Sequence, residues 1–277
     1  MYMVRSLAEK MARGIVFRRR LPPEVGRSLL WVSPDSALQF LKPKYSEGLR
    51  GALAQASSLV RDAEFVWDIG ANVGVFAFAV AGLVGKHGRV LAVEPDPWLF
   101  GLLQRSRAAN RRRDDLAAVE LLCTAVSDRP GVARFQIAAR GRASNALAGF
   151  GNSEMGGVRE ELLVPTVTLD QLLETTFPPD LVKIDVEGAE LLVLQGARRL
   201  LAEARPRLLI EVAEPNADAV TTLLRQADYS LFDAADPVRG LPPVHRAVWD
   251  TCAIPAERVG VAAAPAHPLD GRLSGRP

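Results

Sequence analysis

The chain has 277 residues, 48% of them apolar and 24% charged, with a net charge of +2. At roughly 150 residues per domain this is one to two domains, and the composition excludes a disordered chain or a strongly basic nucleic-acid binder. Residues 1–20 set six basic side chains (Arg5, Lys10, Arg13, Arg18, Arg19, Arg20) against Glu9, a local balance of +5 that leaves −3 for the remainder.

In chain order, residues 1–50 read as a basic N-terminal arm with helical pieces and prolines. Glu64–Ile69 is a buried strand running into Gly70-Ala-Asn-Val-Gly74, and Val73–Val84, apolar nearly all round, is a buried helix. A turn with Gly85, His87 and Gly88 leads to a second strand, Arg89–Val93, ending at Glu94-Pro95. Pro97–Asn110 is an amphipathic helix with Leu99, Leu102 and Leu103 opposite Arg105 and Arg107, and Val119–Val126 is a third strand. Ala133–Ala138 and Leu162–Val167 are strands with no helix beside them. With the glycine-rich stretch between them they form an insert at 129–167, a hairpin plus a mobile loop. The alternation resumes with helix Thr168–Thr175, strand Leu181–Asp185, helix Ala189–Ala204, strand Arg207–Val212, helix Asn216–Gln226 and strands Tyr229–Asp233 and Ala247–Ile254.

Strands joined by helix-length crossovers are parallel. Residues 51–255 therefore read as one α/β domain with a doubly wound, seven-stranded, mostly parallel, Rossmann-like sheet. The last connection lacks a helix and makes an antiparallel edge strand. Residues 256–277, rich in Ala, Pro, Gly and Arg, read as a disordered tail. Two cysteines, Cys123 and Cys252, exclude a disulfide scaffold and a cysteine-based zinc site. Both lie in apolar runs, as core thiols of a reducing compartment do. The longest apolar stretch is about 12 residues against the ~20 of a membrane helix, and no apolar signal core follows Met1. A cytoplasmic protein is expected.

The first strand and its turn carry the most chemistry. In open α/β sheets ligands bind at the carboxyl ends of strands. Gly70 and Gly74 remove side chains there so that backbone can approach a ligand, and Asp68 adds a carboxylate suited to an ammonium or hydroxyl. The G-x-x-x-G spacing is neither G-x-G-x-x-G nor a phosphate loop, so a pyrophosphate site is disfavoured. Glu94 ends the second strand, where doubly wound folds place an acid on ribose hydroxyls. One acid for an amine and one for a ribose, without a phosphate cradle, point to S-adenosylmethionine. Asp128, after the third strand, is placed to reach the adenine amino group. The plain alternatives are a tight turn for the glycines, a helix cap for Glu94 and a surface turn for Asp128.

Val66–Gly74, Val90–Val93 with Glu94-Pro95, Ala125-Val-Ser-Asp128, Thr168-Leu-Asp170 and Lys183-Ile-Asp-Val-Glu-Gly-Ala-Glu190 resemble the FkbM family of S-adenosylmethionine-dependent methyltransferases. The resemblance covers residues 60–255. Its glycine turn is shared by many methyltransferases, whereas the Lys183–Glu190 run with Thr-Leu-Asp before it is specific. It implies a class I methyltransferase fold and O-methylation of hydroxyls on sugars, polysaccharides or polyketide-type metabolites. It also implies Asp68, Gly70, Asn72 and Gly74 along the methionine and backbone side of the cofactor, and Glu94 on the ribose.

Methyl transfer is an in-line displacement at a sulfonium methyl, in which the enzyme positions a nucleophile and excludes water. A sugar hydroxyl is a poor nucleophile and calls for a base. Asp185 and Glu211 close the fourth and fifth parallel strands at the same edge and are the candidate catalytic residues. Glu187, Glu190 and Glu214 follow nearby, and the first two also suit the start of a helix through its dipole. Such carboxylates are compatible with a divalent metal such as Mg²⁺, but no residue is assigned as a metal ligand. His245, in the loop after the sixth strand, is a further candidate base; His87 lies in a surface turn and His267 in the tail. Ser144-Asn145, on the mobile loop with Arg140 and Arg142, is expected to close over the acceptor. That acceptor is expected to be a small molecule or glycan; no N/D-P-P-Y/F run or Pro-Cys pair speaks for a nucleic acid. The alternatives are a nitrogen acceptor on the same fold, a non-enzymatic binding module that kept the fold, and an NAD-linked oxidoreductase, whose glycine turn is missing. Peripheral membrane contact through residues 1–20 is the minor alternative to a solvated basic arm.

Overall fold

The computed structural model describes residues 11, 13–42, 47–151, 155–234 and 242–262. Its first elements are a hairpin, β1 (Phe17–Arg20) and β2 (Leu29–Val32), and helix α1 (Glu47–Leu59). The central layer follows with β3 (Phe65–Ile69), α2 (Val75–Val84), β4 (Arg89–Val93), α3 (Pro97–Asn110) and β5 (Ala118–Leu122). Next come four strands of the insert, β6 (Ala125–Val126), β7 (Gly131–Ala138), β8 (Ala146–Leu147) and β9 (Val158–Val167). The chain then runs through α4 (Leu169–Thr175), β10 (Leu181–Ile184), α5 (Glu190–Gln195), β11 (Arg207–Glu211), α6 (Ala217–Gln226), β12 (Tyr229–Asp233) and β13 (Asp250–Pro255).

The main sheet has seven strands in the order β12-β13-β11-β10-β3-β4-β5. Strands β11, β10, β3, β4 and β5 are mutually parallel, so the expected doubly wound, mostly parallel sheet is present. The antiparallel strand is not at the edge, however: β13 lies between β11 and β12, antiparallel to both. Thr251, Cys252, Ala253 and Ile254 are all buried, so both faces of β13 need cover and the strand takes an interior place. The edge goes to β12, where Ser230 and Asp233 are half-buried and Tyr229, Leu231 and Phe232 buried.

Alternation along the strands divides the core. Val66, Val90, Ala92, Leu181 and Leu209 face α1, α2 and α3. Trp67, Ile69, Val93, Val182, Ile184 and Ile210 face α5 and α6. Strands apolar on both faces belong in a covered parallel sheet, and Asp68 breaks that pattern as a charged side chain on the first face.

Three further expectations are corrected. The third strand, read as Val119–Val126, is two: β5 pairs with β4, while β6 pairs with β9 in a separate four-stranded sheet ordered β6-β9-β7-β8. The helix read as Ala189–Ala204 breaks after α5 and restarts into a π-helical turn, Leu200–Ala204. Asp170 causes the restart, its carboxylate accepting the Arg199 and Leu200 amides at 3.1 and 2.9 Å and so capping a new segment. The N-terminal arm contains short 3₁₀ turns at Pro23–Val25 and Leu38–Leu41, but its body is the β1–β2 hairpin docked on α3. Asn110 and Ser106 of α3 serve the backbone of β2: Leu29 N–H donates to Asn110 Oδ1 at 2.9 Å and Trp31 N–H to Ser106 Oγ at 2.8 Å. These side chains occupy the free edge that a two-stranded ribbon would otherwise leave open. At the other end Ala256–Arg258 and Val259–Ala262 are helical turns, and residues 263–277 of the expected tail lie outside the described residues, as do residues 1–10 of the arm.

Candidate functional site

The carboxyl ends of β3, β4, β10 and β11 open into a cleft with two joined halves of about 160 and 180 Å³. Together they fall at the small end of the ~300–1,000 Å³ typical of small-molecule sites. The halves share Gly70, Asn72, Ala143 and Asp185. One half is walled by Glu94, Val126, Phe135, Arg142, Asn145 and Glu211, and the other by Phe40, Asp68, Val75, Phe76 and Lys183.

Two glycines set the turn after β3. Gly70 has φ +86°, and a Cβ there would lie 1.8 Å from the Asp185 carbonyl oxygen. The loops after β3 and β10 can therefore meet only over a glycine, and Asp185 N–H donates to Ile69 O at 3.0 Å across that junction. Gly74 does a different job from the one expected. It caps α2 at φ +87°, and a Cβ would meet Leu103 Cδ2 at 2.6 Å; it is a packing glycine and lines neither half of the cleft.

Asp68 is buried, and its Oδ2 accepts the Ala77 amide in the first turn of α2 at 3.1 Å. Its Oδ1 has no hydrogen-bond partner, the nearest cation being Lys183 Nζ at 3.7 Å. Burial raises its pKa, opposed by Lys183. Lys183 also donates to Asp185 Oδ2 at 2.8 Å. Burial works against its charge, but Asp185 and Asp68 outweigh that and hold its pKa above the ordinary lysine value.

Glu94 is buried with both oxygens engaged, accepting from Asn72 N–H and Asp96 N–H at 2.8 Å each. Burial, reinforced by Asp96, pushes its pKa up to about 8. Asn72, at φ +52°, turns its backbone amide to this acid while its own Oδ1 accepts the Val73 amide. Glu211 is likewise pushed up to about 8, first by burial and then by the charge of Asp185.

The structure brings Asp68, Gly70, Asn72, Glu94, Asp185 and Glu211 to one cleft and leaves out other candidates. Asp128 lies in the bend after β6, two residues beyond the wall residue Val126, and accepts from Ser127 Oγ at 3.0 Å; it lines neither half of the cleft. His245 is exposed beside α6, where its carbonyl accepts from Arg225, and it too lines neither half. Residues 244–246 are tied to β12 and α6, Val244 N–H donating to Leu231 O and Arg246 pairing with Asp218, so His245 stands apart from the cleft. Glu190 is spent on structure, accepting from Gly188 N–H at 2.6 Å and Asn216 Nδ2 at 3.1 Å. Glu214 is an exposed partner of Arg246. Among the described residues no group of three or more His, Cys, Asp and Glu side chains is arranged to hold a metal ion, and no helix is long and apolar enough to cross a membrane.

The segment Arg142–Asn145 is tied down, not hanging free. Arg142 Nε donates to Asp35 Oδ2 at 3.1 Å, its Nη1 pairs with Asp96, and its guanidinium lies 4.7 Å from the Trp98 ring. Asn145 Nδ2 donates to Asp96 Oδ2 at 2.9 Å, and its Oδ1 accepts the Ala138 amide. Arg159 clasps Asp35 from the other side at 3.1 Å. Asp35, Asp96 and Lys183 were assigned no role from sequence. Asp96-Pro97 carries a helix-cap signature, and Lys183 shares strand parity with Asp185. Asp35 has no local signal, because its partners lie more than 100 residues away.

Among solved structures, the chain is similar to the methyltransferase FkbM from Methylobacillus flagellatus KT, with 22% identity and a TM-score of 0.50 over 77% of this chain and 50% of that one. It thus spans about half the length of that relative. It is also similar to a precorrin-6y C5,15-methyltransferase from Geobacter metallireducens GS-15 (14% identity, TM-score 0.44, 79% and 95% of the two chains). A third is Aeropyrum pernix fibrillarin in complex with S-adenosyl-L-methionine (14%, TM-score 0.43, 86% and 92%). No curated protein matches it. The model of the methyltransferase FkbM domain matches residues 68–231, more than half of the chain and the stretch that builds most of this cleft, so the chain belongs to the FkbM methyltransferase family.

Proposed function

We propose that this methyltransferase uses S-adenosylmethionine to methylate a hydroxyl of a sugar, glycan or small metabolite. The observation that carries the donor is the state of Asp68. It is a buried carboxylate that occupies the Ala77 amide at the start of α2 and keeps one oxygen without a donor. A phosphate would need that amide and would be repelled by that charge. A cationic donor with an amine meets an open acceptor, and Glu94 at the end of β4 suits a vicinal diol.

When bound, the donor supplies an electrophilic methyl on a sulfonium. Asp68 and Asn72 would hold its amino-acid side and Glu94 its ribose. Glu211 is the base in this reading: raised to about 8, it is a far stronger proton acceptor than an ordinary carboxylate and still ionises near neutral pH. Asp185, already neutralised by Lys183, orients the acceptor hydroxyl. The clasp of Arg142 and Asn145 closes the cleft wall against water.

Calorimetric titration with S-adenosylmethionine, with NAD as the control, tests the donor: binding that Glu94→Ala removes supports it, and binding of NAD alone sinks it. Methyl transfer from labelled donor onto a panel of sugars and hydroxylated metabolites tests the acceptor. A product methylated on nitrogen would replace the hydroxyl by an amine.

A further inference from the structure

The half of the cleft under Phe40 holds Lys183, to which the reading above gives no contact with the donor. Asp68 and Lys183 stand opposite each other on the neighbouring parallel strands β3 and β10. Asp68 Oδ1 is buried without a hydrogen-bond donor, and Lys183 Nζ lies 3.7 Å away, outside hydrogen-bond range. Lys183 makes one hydrogen bond among the described residues, to Asp185, although an ammonium carries three donors. A buried acceptor and an under-used ammonium, side by side and of opposite charge, complement a zwitterion. The walls around them, Ala37, Phe40, Leu49, Ala52, Val75 and Phe76, are apolar, which strengthens any charge pairing inside.

We infer that Lys183 receives the α-carboxylate of the methyl donor, beside the Asp68 that takes its ammonium in the reading above. This rests on S-adenosylmethionine being the donor, as proposed above. Arg142 is the other cation of the cleft, but its guanidinium is committed to Asp35 and Asp96 and it lines only the half that contains Glu94. The two halves meet at Gly70, Asn72, Ala143 and Asp185, so one ligand can place its diol by Glu94 and its amino acid by Lys183.

The experiment is equilibrium binding of the full chain to three probes. These are S-adenosylmethionine, its decarboxylated form, and 5′-methylthioadenosine, which lacks the whole amino-acid end. A charge-assisted contact in a sheltered site predicts that the wild type binds S-adenosylmethionine about ten- to a hundred-fold more tightly than the decarboxylated form. Lys183→Met should lose that factor for S-adenosylmethionine alone. It should bind the decarboxylated form as well as before or better, and Lys183→Arg should restore part of the discrimination. Unchanged binding of 5′-methylthioadenosine shows that the variant is folded; if Lys183→Met does not fold, the wild-type ratio and Lys183→Gln decide. Equal wild-type affinity for the carboxylated and decarboxylated forms would overturn the role of Lys183 and leave the donor standing. Discrimination that survives Lys183→Met would overturn it too. Failure of the wild type to bind any of the three would remove the donor itself.

Discussion

Two cavities of this molecule differ in ways that separate room from chemistry. The larger, about 990 Å³, is a groove on the α5 and α6 side, lined by Leu191, Leu194, Leu201, Leu223 and their neighbours. Two of its rim charges are paired, Arg205 with Glu257 and Asp218 with Arg246. The cleft at the strand ends is several times smaller, yet holds Asp68 with an oxygen that accepts no hydrogen bond and two carboxyls raised to about 8. A groove between helices arises wherever their ridges fail to fill the space. Buried charge arises only where the fold forces it, and perturbed titration in a cleft marks function better than volume does.

The largest effect that would break this contrast is on turnover. Glu211→Gln should lower kcat by about 10²–10⁴-fold with donor affinity kept, while the wild-type rate climbs with pH to a plateau above about 8, where the base is ionised. Normal turnover in this variant would return the base to Asp185. Next, Asp35→Ala leaves Arg142 and Arg159 without their shared carboxylate in a buried network. It should cost about 3–5 kcal/mol in denaturant unfolding, whereas a loss below ~1 kcal/mol would show the clasp to be surface-like.

A smaller effect lies in the pH dependence of stability. Folded Glu94 keeps its proton to about pH 8, and the unfolded chain releases it near 4.5. Between those values the folded chain binds more protons, so stability falls as pH rises, by up to about 1.4 kcal/mol per unit, and levels off above about 8. Glu94→Gln should flatten that decline in a Tm series. The same proton must leave when a diol donates to the ionised carboxylate, so donor affinity should rise with pH up to about 8. Last, Gln226→Ala and Thr222→Ala at the helix groove should change stability by less than ~0.5 kcal/mol and leave donor binding untouched; an effect on binding would couple the two cavities.

Much of the fold was legible because local pattern and tertiary demand agree. Arg89–Val93, Pro97–Asn110 and Tyr229–Asp233 have the bounds that periodicity and caps predict. The failures share one cause. Whether Ala125–Val126 continues β5 or joins β9, and whether β13 takes an edge or an interior place, depends on partners that short-range pattern does not name. Asp128 follows the short strand that joined β9 and His245 follows the strand that took the edge, and neither lines the cleft.

By itself, the sequence determined that an alternating α/β sheet would carry Asp68, Glu94, Asp185 and Glu211 to its carboxyl edge, because strand ends and parity follow from residue spacing alone. Only the tertiary structure decided which of those acids are dry, which are neutralised, and that Asp35 would lock Arg142 over the cleft. Charge state depends on burial and on neighbours across the chain, and no local pattern encodes either.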